Sequence, residues 1–359
     1  MRRRRGVVAV ARAAGVSPST VSNVYNRPHV VTPQLRERVL RAASELGYAG
    51  ADPAARSLRS GRTGALGVVL RERLAYSFDD PAAVCFLQGV SDAADPQQLA
   101  LVIVPAYPEQ AGAFSPAIGR AAVDGLLLYS LVGDDPLVEA ALARRLPTVV
   151  IDSPAPGEEP VTDRCGFVGI DERAAAGAAV AHLTELGHRR LGVVSLRLSA
   201  RAHAGPAGAA SQAAATASVP RGRLEGARRA AEAAGVGWPT VAVEQCPISD
   251  VESGRAGAHA LLDRAPDTTA IFALSDPLAL GAKRAAAERG LSVPGDLSIV
   301  GFDDSAPEAE GLTTIHQPLR EKGRAGTELL LRMLAGDAED GARTVLPTRL
   351  VVRGSTAPA

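Results

Sequence analysis

Only three cysteines, Cys85, Cys165 and Cys246, stand in a chain of 359 residues. Their number is odd and their separations are long, which argues against a disulfide framework and a cysteine zinc site and leaves them as small core residues. No uninterrupted apolar run is long enough to cross a membrane. The basic start, MRRRRG, is not followed by the apolar core of a signal peptide, so the expected location is the cytoplasm, with no membrane partner. Also missing are a phosphate-cradling G-x-G-x-x-G or Walker loop, an H-E-x-x-H helix and a G-x-S-x-G elbow. No enzyme, cofactor or resident metal is therefore expected. The C-terminus lacks a long leucine heptad run, so no tetramer-forming coil is expected.

What is present is enough apolar material, 46% of residues, for substantial cores, over a length that suggests two or three domains. The zero net charge hides an asymmetry. Residues 1–62 hold 12 arginines and no lysine against Glu37, Glu45 and Asp52, a net +9, so the remainder carries −9. A basic head on an acidic body is the distribution expected when one end meets phosphate. A solvated basic tail would account for Arg2–Arg5, but not for arginines spread to Arg62.

Within that head, GVVAVARAAGVSPSTVSNVYN (6–26) sets Val7, Val8, Val10 and Ala11 at helical spacing. Gly15 then offers a turn, Ser17 an N-cap and Pro18 a first helical position, so a second helix is predicted from Pro18 to about Tyr25. Two short helices joined by such a turn form a helix-turn-helix whose second member can enter the DNA major groove. The same spacing also fits an ordinary helical hairpin. A third helix is predicted after Thr32 and Pro33, ending at Gly47, with Leu35, Val39 and Leu46 joining Val10, Val21 and Val24 in a small core.

Taken together, V-A-x-x-A-G-V-S-x-x-T-V-S-x-V-x-N (Val10–Asn26), T-x-x-x-R-x-R-V (Thr32–Val39) and A-x-E-L-G-Y (Ala43–Tyr48) resemble the DNA-binding head of the lac repressor (LacI/GalR) family. The resemblance implies that Pro18, Ser19 and Asn23 face base edges, while Ser17, Thr20, Ser22 and Asn26 approach phosphates. Many members carry Arg where this chain has Asn23, and Arg reads guanine where Asn pairs with adenine, so the bases opposite Asn23 are expected to differ. DPAARSLRSG (52–61) resembles the family's hinge helix. There Leu58 would wedge into the minor groove, and Arg56 and Arg59 would lie over phosphates. A plain polar linker is the alternative.

From Thr63 the texture changes to short apolar runs at 64–70, 99–105, 124–130 and 147–153, separated by helical stretches at 81–94, 109–122 and 135–145. A second such series follows, with runs at 166–171, 190–197, 240–246, 270–276 and 297–304. This pattern indicates parallel sheets covered on both faces. VGIDERAAAGAAVAHLTELGHRRLGVV (168–194), GFDDS (301–305) and LTTIHQP (312–318) again resemble the family, whose core is periplasmic-binding-protein-like. The expected architecture is an all-α helix-turn-helix head followed by an α/β core of two such lobes. The expected boundaries are a head at 1–50, a hinge at 51–62 and a core at 63–359. Within the core, lobe 1 is expected at about 63–153 and 318–335 and lobe 2 at about 160–312, with three crossings, the last near 312–318. Residues 198–220, rich in Ala, Gly and Ser, read as a flexible insertion. A short strand is expected around 345–352. His182, His188 and His316 are expected to cap or pack.

Ligands of open α/β sheets bind outside the carboxyl ends of strands, here the cleft between lobes. Asp152, Asp276 and Arg223 fall there by chain position, and the resemblance gives ligand-contacting roles to Arg223 and Asp276. Carboxylates accept from paired hydroxyls and Arg donates in a fork, so the expected effector is a sugar. Tyr76 and Phe78, in the loop after the first strand, would supply an apolar wall, although loop 71–80 departs from the commonest family form. Alternatives are helix capping for Asp276 and a surface ion pair or loop role for Asp152 and Arg223.

Three functions fit these readings. The first is a transcriptional regulator, in the repressor sense, with a homodimer on a pseudo-palindromic double-stranded operator and a small-molecule effector. A solute-binding protein shares the core but leaves the basic head unexplained. A sugar or nucleotide enzyme on a doubly wound fold would reveal itself by turnover.

Overall fold

The computed structural model describes residues 6–48, 61–105, 116–133, 135–157, 164–305, 310–339 and 341–359. It divides into two compact units, Met1–Gly64 and Ala65–Ala359. Arg2–Arg5, Arg56, Leu58 and Arg59, and with them the expected hinge helix, lie outside the described residues.

Among its described residues the first unit holds α1 (Val7–Ala14), α2 (Pro18–Asn26) and α3 (Pro33–Glu45). Gly15 ends α1 at φ +62°, a conformation that a side chain would strain, and this lets the chain turn at once into α2. Val10, Val21, Val24 and Val39 are buried at the centre, with Leu35 and Leu46 partly buried around them. At the entry to α3, Thr32 has the extended backbone of an N-cap, but its side chain makes no capping bond.

In the second unit, β1 (Ala65–Leu70) leads into α4 (Leu74–Asp79) and α5 (Pro81–Ala94). Then come β2 (Ala100–Pro105), α6 (Pro116–Arg120), β3 (Gly125–Tyr129), α7 (Pro136–Leu142), β4 (Thr148–Ile151) and β5 (Gly166–Ile170). The chain continues through α8 (Glu172–Glu185), β6 (Leu191–Ser195), β7 (Gly205–Pro206), α9 (Ala209–Ala213), α10 (Ser218–Ala233) and β8 (Ala242–Gln245). It ends with α11 (Val251–Arg264), β9 (Ala270–Ala273), α12 (Asp276–Glu288), β10 (Ser298–Asp303), β11 (Thr313–His316), α13 (Leu319–Ala335), β12 (Arg343–Leu346) and β13 (Arg349–Val351).

Two sheets organise these elements. The first is wholly parallel in the order β12-β5-β4-β3-β1-β2. The second runs β13-β11-β10-β9-β6-β8-β7, parallel except at its two edges, where β13 and β7 are antiparallel. Strands such as LGVVS and GLLLY are almost wholly apolar because helices bury both faces. Each sheet switches direction of winding once, between β1 and β3 and between β6 and β9.

Helices pack in pairs that cross on glycine: α5 on α13 at Gly89 and Gly323, α8 on α10 at Gly226, and α11 on α12 at Gly254 and Gly281. A methyl group on Gly89 would stand 1.8 Å from the Arg320 carbonyl oxygen, and one on Gly226 would stand 2.1 Å from that of Arg173. These contacts bring backbones together, which is how a core with few large side chains reaches close packing.

Three expectations are corrected. Residues 166–170 form β5 of the first sheet, so lobe 2 does not begin near 160 but after Ile170. The insertion 198–220 is folded: β7 pairs with β8, α9 follows, and α10 already starts at Ser218. Leu198, Ala207, Ala215, Ala217 and Val219 are buried there, and the Trp238 indole donates to Gln212 Oε1 at 2.9 Å. Finally, the last stretch forms two strands, β12 in the first sheet and β13 in the second. The chain thus passes between lobes three times, after β5, between β11 and α13, and between β12 and β13, so the last crossing lies between Leu346 and Arg349 rather than near 312–318.

His188 and His182 fasten the C-terminal segment. Buried His188 sits 2.9 Å from Thr269 Oγ1, 3.0 Å from Ser298 Oγ and 3.0 Å from the Ala357 carbonyl oxygen, and burial holds its pKa below the usual value. His182 reaches Thr356 Oγ1 at 3.0 Å, and His316 reaches Asp304 Oδ2 at 3.0 Å. Among the described residues no helix is long and apolar enough to cross a membrane, and no His/Cys/Asp/Glu group could hold a metal ion.

Candidate functional site

In the head, α2 begins with Ser17 Oγ accepting from the Thr20 amide at 3.1 Å, with Pro18 in the first turn. Val21 and Val24 bury one side of this helix. On the helical wheel, Pro18, Ser19, Ser22 and Asn23 fall on the other side. Ser17, Pro18 and Ser19 are exposed, while Thr20, Ser22 and Asn23 are half-buried. Ser17 Oγ also lies 2.7 Å from Ser19 Oγ and 2.8 Å from Thr20 Oγ1, so the three hydroxyls form one polar cluster at the helix start. Behind it, the Tyr25 and Tyr48 rings meet edge to face at 5.8 Å, which ties α2 to the end of the third helical segment. The result is a short helix with a polar face on a rigid three-helix support.

In the core unit a cavity of about 180 Å³ opens between the two sheets. Its walls are the carboxyl ends of β1 and β3 on one side and of β6 and the β9–α12 turn on the other. These are the switch points of both sheets, where the ends of neighbouring connections part and leave a crevice.

Arg223, on α10, is almost fully buried. Its Nε donates to Glu172 Oε2 at 2.7 Å and its Nη1 to the Leu274 carbonyl oxygen at 2.5 Å, with Asp303 Oδ1 3.7 Å away. Its guanidinium carbon stands 3.6 Å above the Phe302 ring. Glu172, Leu274 and Phe302 therefore hold the fork in one orientation.

Opposite, Asp152 sits at φ +62° directly after β4 and accepts from Lys322 Nζ at 2.6 Å. Lys322 is fully buried and also donates to Gln317 Oε1, whose amide nitrogen in turn donates to Asp303. A continuous polar chain, Asp152–Lys322–Gln317–Asp303, thus runs from the first lobe to the second. Burial, which outweighs the nearby Arg223 charge, holds the Asp303 carboxyl well above the usual range.

Asp80 caps α5 by accepting from the Ala82 amide at 3.1 Å, and burial pushes its carboxyl to about 6 against the pull of the Ala82 and Ala83 amides. The folded pKa lies above the unfolded one, so the folded chain binds more protons between them and loses stability as pH rises through that window. Asp80→Asn keeps an acceptor and removes the charge. Its advantage over the wild type should grow from nothing near pH 4 to at most about 3 kcal/mol at pH 7, read by urea denaturation at both pH values. A gain independent of pH would contradict the desolvation account.

Of the effector residues expected from sequence, Tyr76, Asp152 and Arg223 line this cavity. Phe78 does not: it is 58% exposed, because two residues along α4 turn its ring to the side opposite Tyr76. Asp276 is not at the wall either. Ser275 is the residue that caps α12, and the Asp276 carboxylate turns inward to accept from Thr314 Oγ1 at 2.6 Å and the Ser305 amide at 3.1 Å. Asp303, at the end of β10, is the carboxylate that reaches the cavity. Asp152 and Arg223 are in ion pairs, but buried ones rather than surface ones. Arg71, Asp80, Arg197, Asp303 and Gln317 also line the cavity and were not anticipated. Arg71, Arg197 and Asp303 each stand at or just past the carboxyl end of a strand, the place already used to select Asp152.

The family model for bacterial regulatory proteins of the lacI family matches residues 9–50, and that for the periplasmic binding protein-like domain matches residues 180–356. The chain is 39% identical over 332 residues to the HTH-type transcriptional regulator IpsA of Corynebacterium glutamicum, covering 91% of each. It is 35% identical to the regulator CelR of Thermobifida fusca, covering 99% of both chains. Among solved structures, a CelR–cellobiose complex superposes with a TM-score of 0.69 at 32% identity, over 98% of this chain and 100% of that one. The lac repressor dimer bound to operator and the anti-inducer ONPF gives 0.74 at 26% identity, over 97% and 98%. The head built on Ser17 and Pro18 and the two-lobed core behind it therefore belong to one kind of protein, and this chain is a member of the LacI family of bacterial transcriptional regulators.

Proposed function

We propose that this regulator binds a pseudo-palindromic operator as a cytoplasmic homodimer, and that an uncharged sugar in the cleft changes its operator affinity. The observation that carries the effector half is the convergence of Arg223, Asp80 and Asp303 on one cavity at the switch points of both sheets. Carboxylates accept from neighbouring hydroxyls and a fixed guanidinium donates to ring or hydroxyl oxygens, which is the complement of a polyol. The named ligands of similar proteins, cellobiose for CelR and ribose for a regulator from Enterococcus faecium, support the same class. Differential binding of the sugar to operator-competent and incompetent states supplies the control, a coupling of about 1–3 kcal/mol.

For the head, Pro18, Ser19 and Asn23 read bases, while Ser17, Thr20, Ser22 and Asn26 hold phosphates. Leu58, flanked by Arg56 and Arg59, wedges the minor groove. Two heads engage half-sites about one helical turn apart. Asn23→Ala should weaken binding to a selected operator by about 1–3 kcal/mol, roughly 5- to 150-fold, and leave binding to scrambled DNA unchanged. Fluorescence anisotropy at one fixed salt concentration measures both. Equal losses on the two DNAs would remove Asn23 from base reading. A thermal-shift screen of neutral sugars, repeated with operator present, tests the effector: a sugar that stabilises the core but leaves operator affinity untouched would contradict the coupling.

A further inference from the structure

The three crossings leave from β5, β12, β11 and β13, which lie at or next to one edge of each sheet. Near the other edge stand β1 in the first lobe and β6 and β8 in the second. There the lobes meet again, through side chains of a single six-residue stretch. Arg71 Nη2 donates to the Ala200 carbonyl oxygen, Glu72 pairs with Arg197, and the Tyr76 hydroxyl donates to the Ser249 carbonyl oxygen at 2.8 Å. Ala200 and Arg197 follow β6, and Ser249 lies between β8 and α11. The stretch is itself well anchored: Arg71 is buried and lies 3.4 Å from the Asp135 carboxylate at the start of α7. The cleft is therefore closed by covalent chain at one end and by these three contacts at the other.

We infer that Arg71, Glu72 and Tyr76 form a clasp that fastens the lobes opposite the crossings and limits the effector to a single ring. This rests on the sugar reading above for its choice of ligand. The physical argument is one of length. A ligand lying between the switch points meets backbone connections on one side and the clasp on the other. The cavity, open on one side and about 180 Å³ in volume, is below the roughly 300–1,000 Å³ of pockets that hold drug-sized molecules. One pentose, hexose or cyclitol ring suits that space. Two joined rings that extend toward β6 and β8 require the clasp to part, giving up an ion pair and two hydrogen bonds that a ligand's outer ring would have to replace. Tyr76 and Glu72 are thus specificity residues: they act by setting how far apart the lobes stand, in addition to any contact they make with a ligand.

The test uses the full chain and the double variant Glu72→Gln/Tyr76→Phe, which keeps side-chain volume and removes the ion pair and the hydroxyl donor. Hydrogen exchange, followed by mass spectrometry, should accelerate about tenfold in peptides covering 197–200 and 247–250, with no change in strands β3 and β9. Calorimetric titration with glucose, ribose and inositol against cellobiose and maltose reads the size limit. The wild type should bind a single-ring compound at least tenfold more tightly than either two-ring compound, and the variant should narrow that ratio. Unchanged exchange at 197–200 and 247–250 overturns the clasp, and so does a wild type that prefers a two-ring sugar. If neither class binds the wild type or the variant, the sugar reading fails, and the clasp is judged on exchange alone.

Discussion

Lys322→Ala should cost about 3–5 kcal/mol of stability, the toll of breaking a buried ion pair from one side. The lysine is fully buried, and its ammonium is shared between Asp152 and Gln317. Removing it leaves the Asp152 carboxylate, at a side-chain exposure of 7%, without its cation, and unties Gln317 from the chain that leads to Asp303. Urea denaturation measures the loss directly. A second variant separates the charge from the packing. Lys322→Met/Asp152→Asn retains volume, and Asn tolerates the φ of +62° that Asp152 occupies, so most of the lost stability should return. Equal instability in the single and double variants would mean that packing, not the buried charge, dominates.

Arg223→Ala should abolish the effector response. The guanidinium is held by Glu172, by the Leu274 carbonyl and over Phe302, and it faces Asp303 at the cavity wall. Truncation removes a fixed donor from the ligand and leaves two carboxylates facing each other's environment without the intervening charge. Losing one partner of a buried, hydrogen-bonded charge pair costs about 2–5 kcal/mol in binding, so sugar affinity should fall by at least about thirtyfold. Operator affinity measured without sugar should change far less, since the head forms a separate compact unit. Arg223→Lys discriminates between charge and shape: an ammonium restores charge but not the fork, and only partial recovery is expected. Full recovery would show that any cation suffices.

Local signals account for what could be read in advance. The N-cap at Ser17, the proline at 18 and the left-handed Gly15 are neighbours in sequence, so their structural consequence was visible there. The apolar runs marked most strands for a similar reason, because burial on both faces leaves a continuous imprint. Sheet membership is different. GFVGI belongs to the first sheet only because it pairs with β4 and with β12, and the latter begins at Arg343. The folded stretch 198–220 leaves little trace in sequence for another reason. Its buried residues include Ala207, Ala215 and Ala217, whose small side chains give little pattern but pack well when backbones lie close.

At the candidate site the difficulty was direction rather than position. Asp276 and Asp303 both follow strands and both are acidic, but Ser275 takes the cap and turns Asp276 inward, while Asp303 turns to the cavity. Tyr76 and Phe78 are close enough in sequence to suggest one wall, but two residues of helix, about half a turn, set them on opposite sides. Lys322 had no signal at all beyond being a lysine in a helix otherwise rich in arginine, glutamate and leucine.

The path of the chain also dictates an order of assembly on the ribosome. The head is made within the first 64 residues and can fold as soon as it emerges. The first lobe cannot follow suit. One face of its sheet waits for α13, at 319–335, and its β5 edge waits for β12, at 343–346. Until then α5, through Phe86 and Val90, covers only part of that face, and β5 presents an unpaired parallel edge, a feature that invites association with a neighbouring chain. The lobe that carries β1 to β5 therefore gains its last strand, β12, only after β6–β11 of the second lobe have been made.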